Sequence, residues 1–220
     1  MSPVHLPRSL KPLRNGEVGI IEATVSEDDP SNVILSTEAG CVVFTDLNSE
    51  KPDLGHGEHG EVTVYDPVTV MVPLHTGAIT AMALSTYDDN ILATAGEDLR
   101  LVLVAVTSPD SPASTYQLDR PVSSLSWSPT RPSLIAAATN RFVLILDTIQ
   151  LSLGPVIKIR HTERNISLPI TSCTFPNKDG SRIVSTDKFG RIYFWRLPQH
   201  LNSATISEKN MFQNIPYHSN

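Results

Sequence analysis

The sequence lacks the features that define several common protein classes. Its two cysteines, Cys41 and Cys173, are too few for a disulfide framework or for a cysteine-based zinc site. No apolar run is long enough to span a membrane, and residues 1–16 have no apolar stretch of the kind found in secretory signals. We therefore expect a protein of the reducing intracellular environment.

Positive charge is also scarce. The 220 residues include 17 Lys and Arg against 23 Asp and Glu, which gives a net charge of −6. Nucleic acids are bound largely through positive charge, so this balance argues against a nucleic-acid partner. Hydrophobic residues make up 40% of the chain, enough for a sizeable core, and 17 prolines with 11 glycines indicate many turns between short elements.

One short pattern occurs four times: an apolar residue, two variable residues, an apolar or small residue, one small or polar residue, an apolar residue, and Ser or Pro. The copies begin at Ile20, Ile79, Val122 and Ile170, at intervals of 59, 43 and 48 residues. Each is followed by a second apolar run, a turn signal rich in Gly, Asn or Asp, and a third run at 41–47, 100–106, 141–147 or 191–197.

These runs are short and rich in β-branched residues, and no apolar stripe of helical period is sustained anywhere. The sequence thus predicts an all-β fold of antiparallel meanders, with a fourth strand near 68–72, 114–118 and 156–159 in the first three units. Four strands at this spacing are typical of a β-propeller blade.

Several residues make the units similar to WD repeats. His75 resembles the histidine that opens a repeat, Asp98 and Asp187 resemble the turn aspartate, and Gly190 and Trp195 resemble the turn glycine and the terminal tryptophan. The resemblance implies a WD-repeat β-propeller in which a His, a strand Ser or Thr, the turn Asp and the Trp share hydrogen bonds. No single unit is expected to keep all four, so we predict a partial network whose missing bonds cost about 1 kcal/mol each.

A narrower resemblance lies in the third unit. Trp127, Pro129 and Pro132 belong to the element Trp-Ser-Pro-Thr-Arg-Pro, which is similar to an element of dynein intermediate chains. The stretch 151–157 also fits the ciliary members, those of cytoplasmic dynein-2 and of axonemal dynein. The three residues are expected to shape a blade rather than to contact a partner.

The resemblance implies a non-catalytic scaffold that docks on the dynein heavy chain and other dynein subunits. It also implies microtubule-based or intraflagellar transport, in the cytoplasm, at the cytoskeleton, and in the cilium or axoneme. No cofactor, small-molecule substrate, nucleic acid or membrane is expected. A general WD-repeat adaptor outside dynein is the alternative.

We predict about four blades, at 17–72, 75–118, 119–159 and 165–197, after an irregular segment 1–16 and before a tail 198–220. Propellers of this family commonly close with seven blades. We therefore expect a partial or truncated propeller, either the C-terminal part of a longer intermediate chain or one completed by structure near the N-terminus that the pattern does not reveal. Unpaired blade faces at the two ends would then mark an interface or a missing part.

The sequence offers few candidates for chemistry. Residues 55–60 match G-x-G-x-x-G, but a strand-like segment follows where the dinucleotide motif needs a helix. His56, Glu58 and His59 are at most a weak metal site. His75, at the entrance of a blade, is expected to make a structural hydrogen bond rather than to act as a base. We therefore predict that the chain is not an enzyme.

Three arginines, Arg100, Arg141 and Arg191, stand near the start of the third strand in successive units. Equivalent positions of a propeller lie on a ring, so these residues could form an arc that docks an acidic surface, since the guanidinium pairs well with carboxylates. The alternative is that each pairs locally with Glu97, Asp98 or Asp187. Loops at 48–62, 107–114 and 160–169 are further candidates for partner contacts.

Overall fold

The structure, a computed structural model, describes residues 18–26, 29–51, 65–163, 166–176 and 178–204. The predicted segment 1–16, most of the tail 198–220, the motif at 55–60 and its histidines His56 and His59 lie outside these ranges. Within them the chain is all-β, and its helical residues are two 3-10 turns, Leu151–Leu153 and Gln199–Leu201. The prediction of an all-β protein built from antiparallel sheets is confirmed.

Three four-stranded meanders and one three-stranded meander follow one another along the chain, each with its strands in sequence order. The first sheet contains β1 (Ile20–Val25), β2 (Asn32–Thr37), β3 (Cys41–Asp46) and β4 (Val68–Pro73). The second contains β5 (Ile79–Leu84), β6 (Ile91–Gly96), β7 (Arg100–Ala105) and β8 (Ser114–Gln117).

The third sheet contains β9 (Val122–Trp127), β10 (Leu134–Thr139), β11 (Val143–Asp147) and β12 (Ile157–Ile159). A separate two-stranded pair, β13 (Thr162–Glu163) with β14 (Ile166–Ser167), precedes the fourth sheet. The fourth sheet contains β15 (Ile170–Thr174), β16 (Arg182–Asp187) and β17 (Ile192–Arg196).

The turns between the second and third strands are alike in three sheets and shorter in one. Gly40, Leu99 and Gly190 occupy the left-handed region with φ of 79°, 62° and 77°. In the third sheet Thr139 closes a tighter turn, since its backbone N–H donates to the Phe142 carbonyl at 2.8 Å. Strand β11 consequently begins at Val143, two residues later than the sequence pattern indicates.

The first strands of the four sheets lie side by side in the order β1, β5, β9, β15. Hydrogen bonds cross each junction: Met82 N donates to Glu22 Oε2 at 2.8 Å, Trp127 Nε1 to the Ala83 carbonyl at 3.0 Å, and Ser123 Oγ to the Thr171 carbonyl at 2.8 Å. Each sheet is therefore joined to the next through its first strand.

The hydrophobic core lies between successive sheets. One cluster joins the first and second sheets, one the second and third, and one the third and fourth. Strands β6 and β10 are buried along their whole length, because a sheet covers each of their faces. Ala93, Ala136 and Ala137 in these two strands are fully buried, and their small side chains let the neighbouring sheets pack closely against them. Among the described residues, no helix has the length and apolar character needed to cross a membrane.

Candidate protein-interaction site

Three side chains, which we call the His75 network, join the entrance of the second sheet to its middle strand and turn. His75 Nε2 lies 3.0 Å from Thr94 Oγ1, and His75 Nδ1 lies 2.9 Å from Asp98 Oδ1. Asp98 also accepts hydrogen bonds from the backbone N–H groups of Thr76 and Arg100. Both imidazole nitrogens are thus engaged in a side chain that is fully buried, which leaves neither of them for a substrate.

The charges in this network settle its proton positions. Burial lowers the pKa of His75, and the hydrogen bond to Asp98 opposes this shift without cancelling it. Burial by itself would raise the pKa of Asp98, but the bonds from His75 and from the two backbone N–H groups lower it overall. At neutral pH a neutral imidazole therefore donates from Nδ1 to a carboxylate and accepts from the Thr94 hydroxyl at Nε2.

Two glycines provide the space that His75 needs. A Cβ atom on Gly96 would lie 2.6 Å from His75 Nδ1, and one on Gly40 would lie 2.2 Å from the His75 carbonyl oxygen. The backbone N–H of His75 donates to the Gly40 carbonyl at 3.0 Å. Close backbone approach from two turns therefore fixes the ring against Asp98.

The fourth sheet holds a second histidine in a set of side chains that we call the His161 network. His161 is fully buried, and its Nε2 lies 2.6 Å from Ser185 Oγ. Trp195 Nε1 donates to the same oxygen at 2.7 Å. The rings of His161, Tyr193 and Trp195 pack together with centroids 4.0 to 6.0 Å apart. Burial lowers the pKa of His161, opposed by the nearby charge of Asp187.

Strand pairing makes the two networks comparable position by position. The place of Trp195 in the fourth sheet is taken by Val104 in the second. The residue before the left-handed turn position is Asp98 in the second sheet and Phe189 in the fourth. Each sheet therefore keeps the histidine and the hydroxyl. The second sheet has the turn aspartate but no tryptophan, and the fourth has the tryptophan but no aspartate at that turn position.

Asp187 lies two residues before the place that Asp98 occupies. Its carboxylate accepts hydrogen bonds from the backbone N–H groups of Phe189 at 2.8 Å and Arg191 at 3.1 Å, and from the Tyr193 hydroxyl at 3.2 Å. Burial raises the pKa of Asp187, but these hydrogen bonds outweigh it and lower the pKa overall. Asp187 thus organises the turn of the fourth sheet.

The Trp-Ser-Pro-Thr-Arg-Pro element lies at the end of β9 and links two sheets. Trp127 is 3% exposed and reaches the second sheet through its bond to the Ala83 carbonyl. Pro132 is buried and Pro129 is half-buried in the connection to β10. The expectation that these three residues shape a blade rather than contact a partner stays a prediction.

Arg131 of the same element forms an ion pair that also shapes the third sheet. Its Nη2 lies 3.0 Å from Asp147 Oδ2 at the end of β11, with both side chains about nine-tenths buried. The Ser128 hydroxyl accepts the Arg131 backbone N–H at 3.2 Å, which fixes the turn that aims the guanidinium. The element therefore closes the third sheet through a buried charge pair.

The three arginines of the predicted arc differ in their placement. Arg100 opens β7, and its Nη1 lies 3.8 Å from Asp98 Oδ2. Arg191 directly precedes β17, and its guanidinium lies 5.7 Å from the ring of Phe189. Arg141 lies in the shorter turn of the third sheet rather than at the start of a strand. Two of the three positions are therefore equivalent, and the third is offset because its turn is tighter.

The two cysteines are free and buried. Burial raises the pKa of Cys173 to about 12 and also raises the pKa of Cys41. Both side chains are therefore thiols at neutral pH, without the thiolate that a nucleophile requires.

One face of the fourth sheet and its turn expose three large apolar side chains. Phe189, Ile192 and Phe194 are 59%, 60% and 71% exposed. The same two strands and their turn also carry four exposed basic residues: Arg182, Lys188, Arg191 and Arg196. An apolar surface with positive charge beside it, on a chain of net charge −6, is suited to binding another protein.

A groove of about 1010 Å³ separates the first and second sheets on their outer side. The connection 107–113 forms one wall, with Phe44, Val70 and Asp89 among the other lining residues. Of the three loops predicted to contact partners, this one lines a groove, most of 48–62 lies outside the described residues, and 160–169 contains His161 and the β13–β14 pair. Among the residues the structure describes, no cluster of three His, Cys, Asp or Glu could hold a metal.

His161 is the network residue that the sequence pattern missed. His75 stands four residues before β5, whereas the β13–β14 pair lengthens the corresponding interval before β15 to nine residues. The signal that identifies it is the dipeptide: His75 and His161 are each followed by threonine.

Two curated proteins are similar to this chain in sequence. The chain is 26% identical over 198 residues to cytoplasmic dynein 2 intermediate chain 2 of Mus musculus, covering 88% of this chain and 36% of the mouse protein. The human protein of the same name is 27% identical over 199 residues, with the same coverage. The chain is distantly similar to dynein intermediate chains. It spans about a third of the length of these relatives.

No protein-family model matches the sequence. The similarity to the two dynein intermediate chains extends over most of the chain, and the all-β sheets are consistent with a WD-type fold.

Proposed function

We propose that the chain is a non-catalytic subunit of a dynein motor complex, of the intermediate-chain type. The observation that carries this proposal is the similarity to cytoplasmic dynein 2 intermediate chain 2 over 88% of the chain. The four successive antiparallel sheets support it, since they divide the same stretch into repeated units. In this proposal the sheets are blades of a WD-type β-propeller, and the predicted blade bounds 17–72, 75–118, 119–159 and 165–197 belong to it.

The inner strands support the propeller arrangement. Strands β1, β5, β9 and β15 adjoin in order, as the innermost strands of successive blades would. The His75 and His161 networks occupy equivalent places in two sheets. A propeller also accounts for the exposed outer face of the fourth sheet, because a further blade or a partner subunit would cover it.

The proposed mechanism is geometric. Packed sheets joined through buried hydrogen-bond networks give a rigid body, and the loops and sheet ends present fixed surfaces to the dynein heavy chain and other subunits. The networks hold both histidines in structural roles, and the two buried thiols carry raised pKa values. In this proposal the complex works in microtubule-based or intraflagellar transport, in the cytoplasm, at the cytoskeleton and in the cilium or axoneme.

Arg100, Arg141 and Arg191 belong to the proposed docking surface. In a propeller the turns after the second strand lie on one rim, and all three arginines lie in or beside those turns. The ion pair of Arg100 with Asp98 lies at 3.8 Å with Arg100 one-third exposed, which leaves that guanidinium within reach of an acidic partner.

The test is affinity purification of the tagged chain from its own cells after mild cross-linking, with cross-linked peptides identified by mass spectrometry. We expect cross-links to a dynein heavy chain. The triple variant Arg100→Glu, Arg141→Glu and Arg191→Glu should reduce them, while Arg120→Glu, an exposed arginine elsewhere, should not.

Recovery of other proteins with no dynein subunit would instead favour a general WD-repeat adaptor. Unchanged heavy-chain cross-links in the triple variant would remove the arginines from the docking surface and leave the subunit assignment in place.

A further inference from the structure

Among the described strands, β17 has no partner along its outer edge, in contrast to the third strand of each of the other three sheets. Strand β3 is paired with β4, β7 with β8, and β11 with β12. Within the part of the chain that the structure describes, β17 pairs with β16 alone. In the described part of the chain the fourth sheet therefore ends at β17, where each of the other sheets adds one more antiparallel strand.

The backbone groups at this edge can be identified from the pairing. Asp187 N donates to the Arg191 carbonyl at 3.1 Å, and Leu197 N donates to the Ser181 carbonyl at 2.9 Å. Odd-numbered residues of this strand thus face β16, and the N–H and C=O groups of Ile192, Phe194 and Arg196 face the open edge. Such an edge is a template for an added strand.

The side chains of the same three residues lie on the exposed face. Ile192 and Phe194 are 60% and 71% exposed, whereas the equivalent residues of the second sheet, Leu101 and Leu103, are 0% and 5% exposed. Leu101 and Leu103 are buried because the third sheet packs on them, and no described sheet covers the same face of β17. Apolar side chains of a strand added beside β17 would therefore find apolar neighbours in Ile192 and Phe194.

The charges at the end of β17 indicate which residues an added strand should carry. Arg196 pairs directly with Arg182 across the two strands, in a non-hydrogen-bonded pair whose side chains are close. Like charges placed opposite each other destabilise a sheet. The carboxylate of Asp179 accepts two hydrogen bonds from Ser181 at 2.9 Å. The charges of Arg182 and Arg196 also help to lower the pKa of Asp179, so one carboxylate lies near two positive charges.

We propose that β17 binds an extended segment of a partner protein as an antiparallel fourth strand, with the pattern acidic-x-apolar-x-apolar. The acidic residue would lie against Arg196 and Arg182, and the two apolar residues against Phe194 and Ile192. Antiparallel direction follows from the other three sheets, whose fourth strands are all antiparallel. The basic surroundings select a protein segment with negative charge over a second copy of β17, which would bring the same cations. This proposal does not depend on which complex the chain joins.

The test uses the full chain and the synthetic peptide acetyl-Glu-Thr-Val-Thr-Val-Thr-amide at millimolar concentration, with amide hydrogen exchange read residue by residue. We expect exchange at Ile192, Phe194 and Arg196 to be fast in the free chain and at least tenfold slower with the peptide. The amides of Tyr193 and Trp195, which face β16, should change little.

Matched variants distinguish the effect of charge on peptide binding from a loss of folding. Arg196→Glu should weaken peptide binding at least tenfold, and Phe194→Thr should weaken it while keeping a residue that favours strands. Arg120→Glu, an exposed arginine outside this surface, should alter binding less than twofold.

Three results would overturn the proposal. Protection of the three edge amides in the free chain would mean that a segment of the chain itself occupies the edge. Equal binding of a peptide with Lys in place of Glu, or equal binding of the oligonucleotide (dT)12, would mean that acidic protein segments are not selected. Unchanged exchange with the Glu peptide would mean that the edge does not accept a strand.

Discussion

The second and fourth sheets fix a histidine at the same place by different chemistry. His75 is held between a hydroxyl and the carboxylate of Asp98, with a hydrogen bond at each nitrogen. His161 is held by one hydrogen bond to a hydroxyl and by the packed rings of Tyr193 and Trp195. Hydrogen bonds hold the histidine in the second sheet, whereas aromatic packing is the main support of the histidine in the fourth. A unit that lacks the terminal tryptophan has therefore not lost its network.

Removing the histidine should have the largest effect and should separate the two sheets. His75→Ala leaves the largely buried carboxylate of Asp98 and the Thr94 hydroxyl without their partner, so we expect a loss of about 3 kcal/mol in the free energy of unfolding. His161→Ala removes packing and one hydrogen bond, for a loss of about 2 kcal/mol. Urea unfolding followed by circular dichroism measures both.

The control for these variants is His200→Ala, whose side chain is exposed and should change stability by less than about 0.5 kcal/mol. An equal or reversed order for His75 and His161 would mean that the carboxylate adds nothing to the His75 network.

A methyl group should disturb the second sheet more than the loss of a carboxylate disturbs the fourth. Gly96 and Asp187 are equivalent, since they pair with Ile79 and Ile170 at the start of their sheets. Gly96→Ala places Cβ 2.6 Å from His75 Nδ1, and we expect a loss of about 2 kcal/mol. Asp187→Ala should cost about 1 kcal/mol through lost hydrogen bonds in the turn. Thermal unfolding of the two variants is the measurement, and a neutral Gly96→Ala would show that the ring has room to move.

Removing the indole N–H donor of Trp195 should lower the free energy of unfolding by a smaller amount. Trp195→Phe keeps a ring beside His161 but removes the indole N–H, while Ser185 Oγ retains its bond to the histidine. We expect a loss of about 1 kcal/mol in urea unfolding. Trp127→Phe is the comparison, because it leaves the Ala83 carbonyl without its indole partner and should cost at least as much. A loss above about 3 kcal/mol for Trp195→Phe would make the indole bond, rather than the ring packing, the main support of the His161 network.

The smallest effect should come from pH, and its direction is the same in the second and fourth sheets. The pKa values of His75 and His161 are lowered below the ordinary 6.5, so the unfolded chain takes up protons first. Stability from both histidines is therefore complete above about pH 6.5 and falls as the pH drops below it. The lowered pKa values of Asp98 in the second sheet and of Asp187 in the fourth add a further loss as the pH falls through the acid range below 3.8.

The measurement is urea unfolding between pH 7.5 and 5. A His161→Gln variant should show a flatter profile than the parent chain over this range. An identical slope would mean that His161 titrates normally in the folded protein.

Much of the fold follows from the sequence because strand signals are local. The repeated apolar runs and turn residues locate the strands of all four sheets within two residues. The shorter turn of the third sheet accounts for the two-residue offset at the start of β11. That difference moved Arg141 into a turn. Nothing in the pattern revealed it, because Asn140 and Arg141 suit turns of either length.

The networks were only partly predictable because they depend on spacing across inserted structure. Asp98 and Trp195 carry recognisable motif positions, but the β13–β14 pair separates His161 from its strand. Asp187 has the right residue type two positions early, and its carboxylate turned out to bind the turn backbone and Tyr193. Pairing register, which the sequence does not state, decides which motif residues meet.

The serines of β9 have a consequence for how the units of this chain can be recombined. Ser123 Oγ donates to the Thr171 carbonyl, Ser124 Oγ donates to the Cys173 carbonyl, and Ser126 Oγ accepts the Phe175 backbone N–H, at 2.8 to 3.2 Å. Apolar packing alone would tolerate sliding, whereas three hydroxyls spaced along one strand set a single alignment with its neighbour. The serines of the third sheet therefore determine how the fourth sheet aligns against it. A chimera that replaces only one of these two sheets would lose the hydrogen bonds that set this alignment.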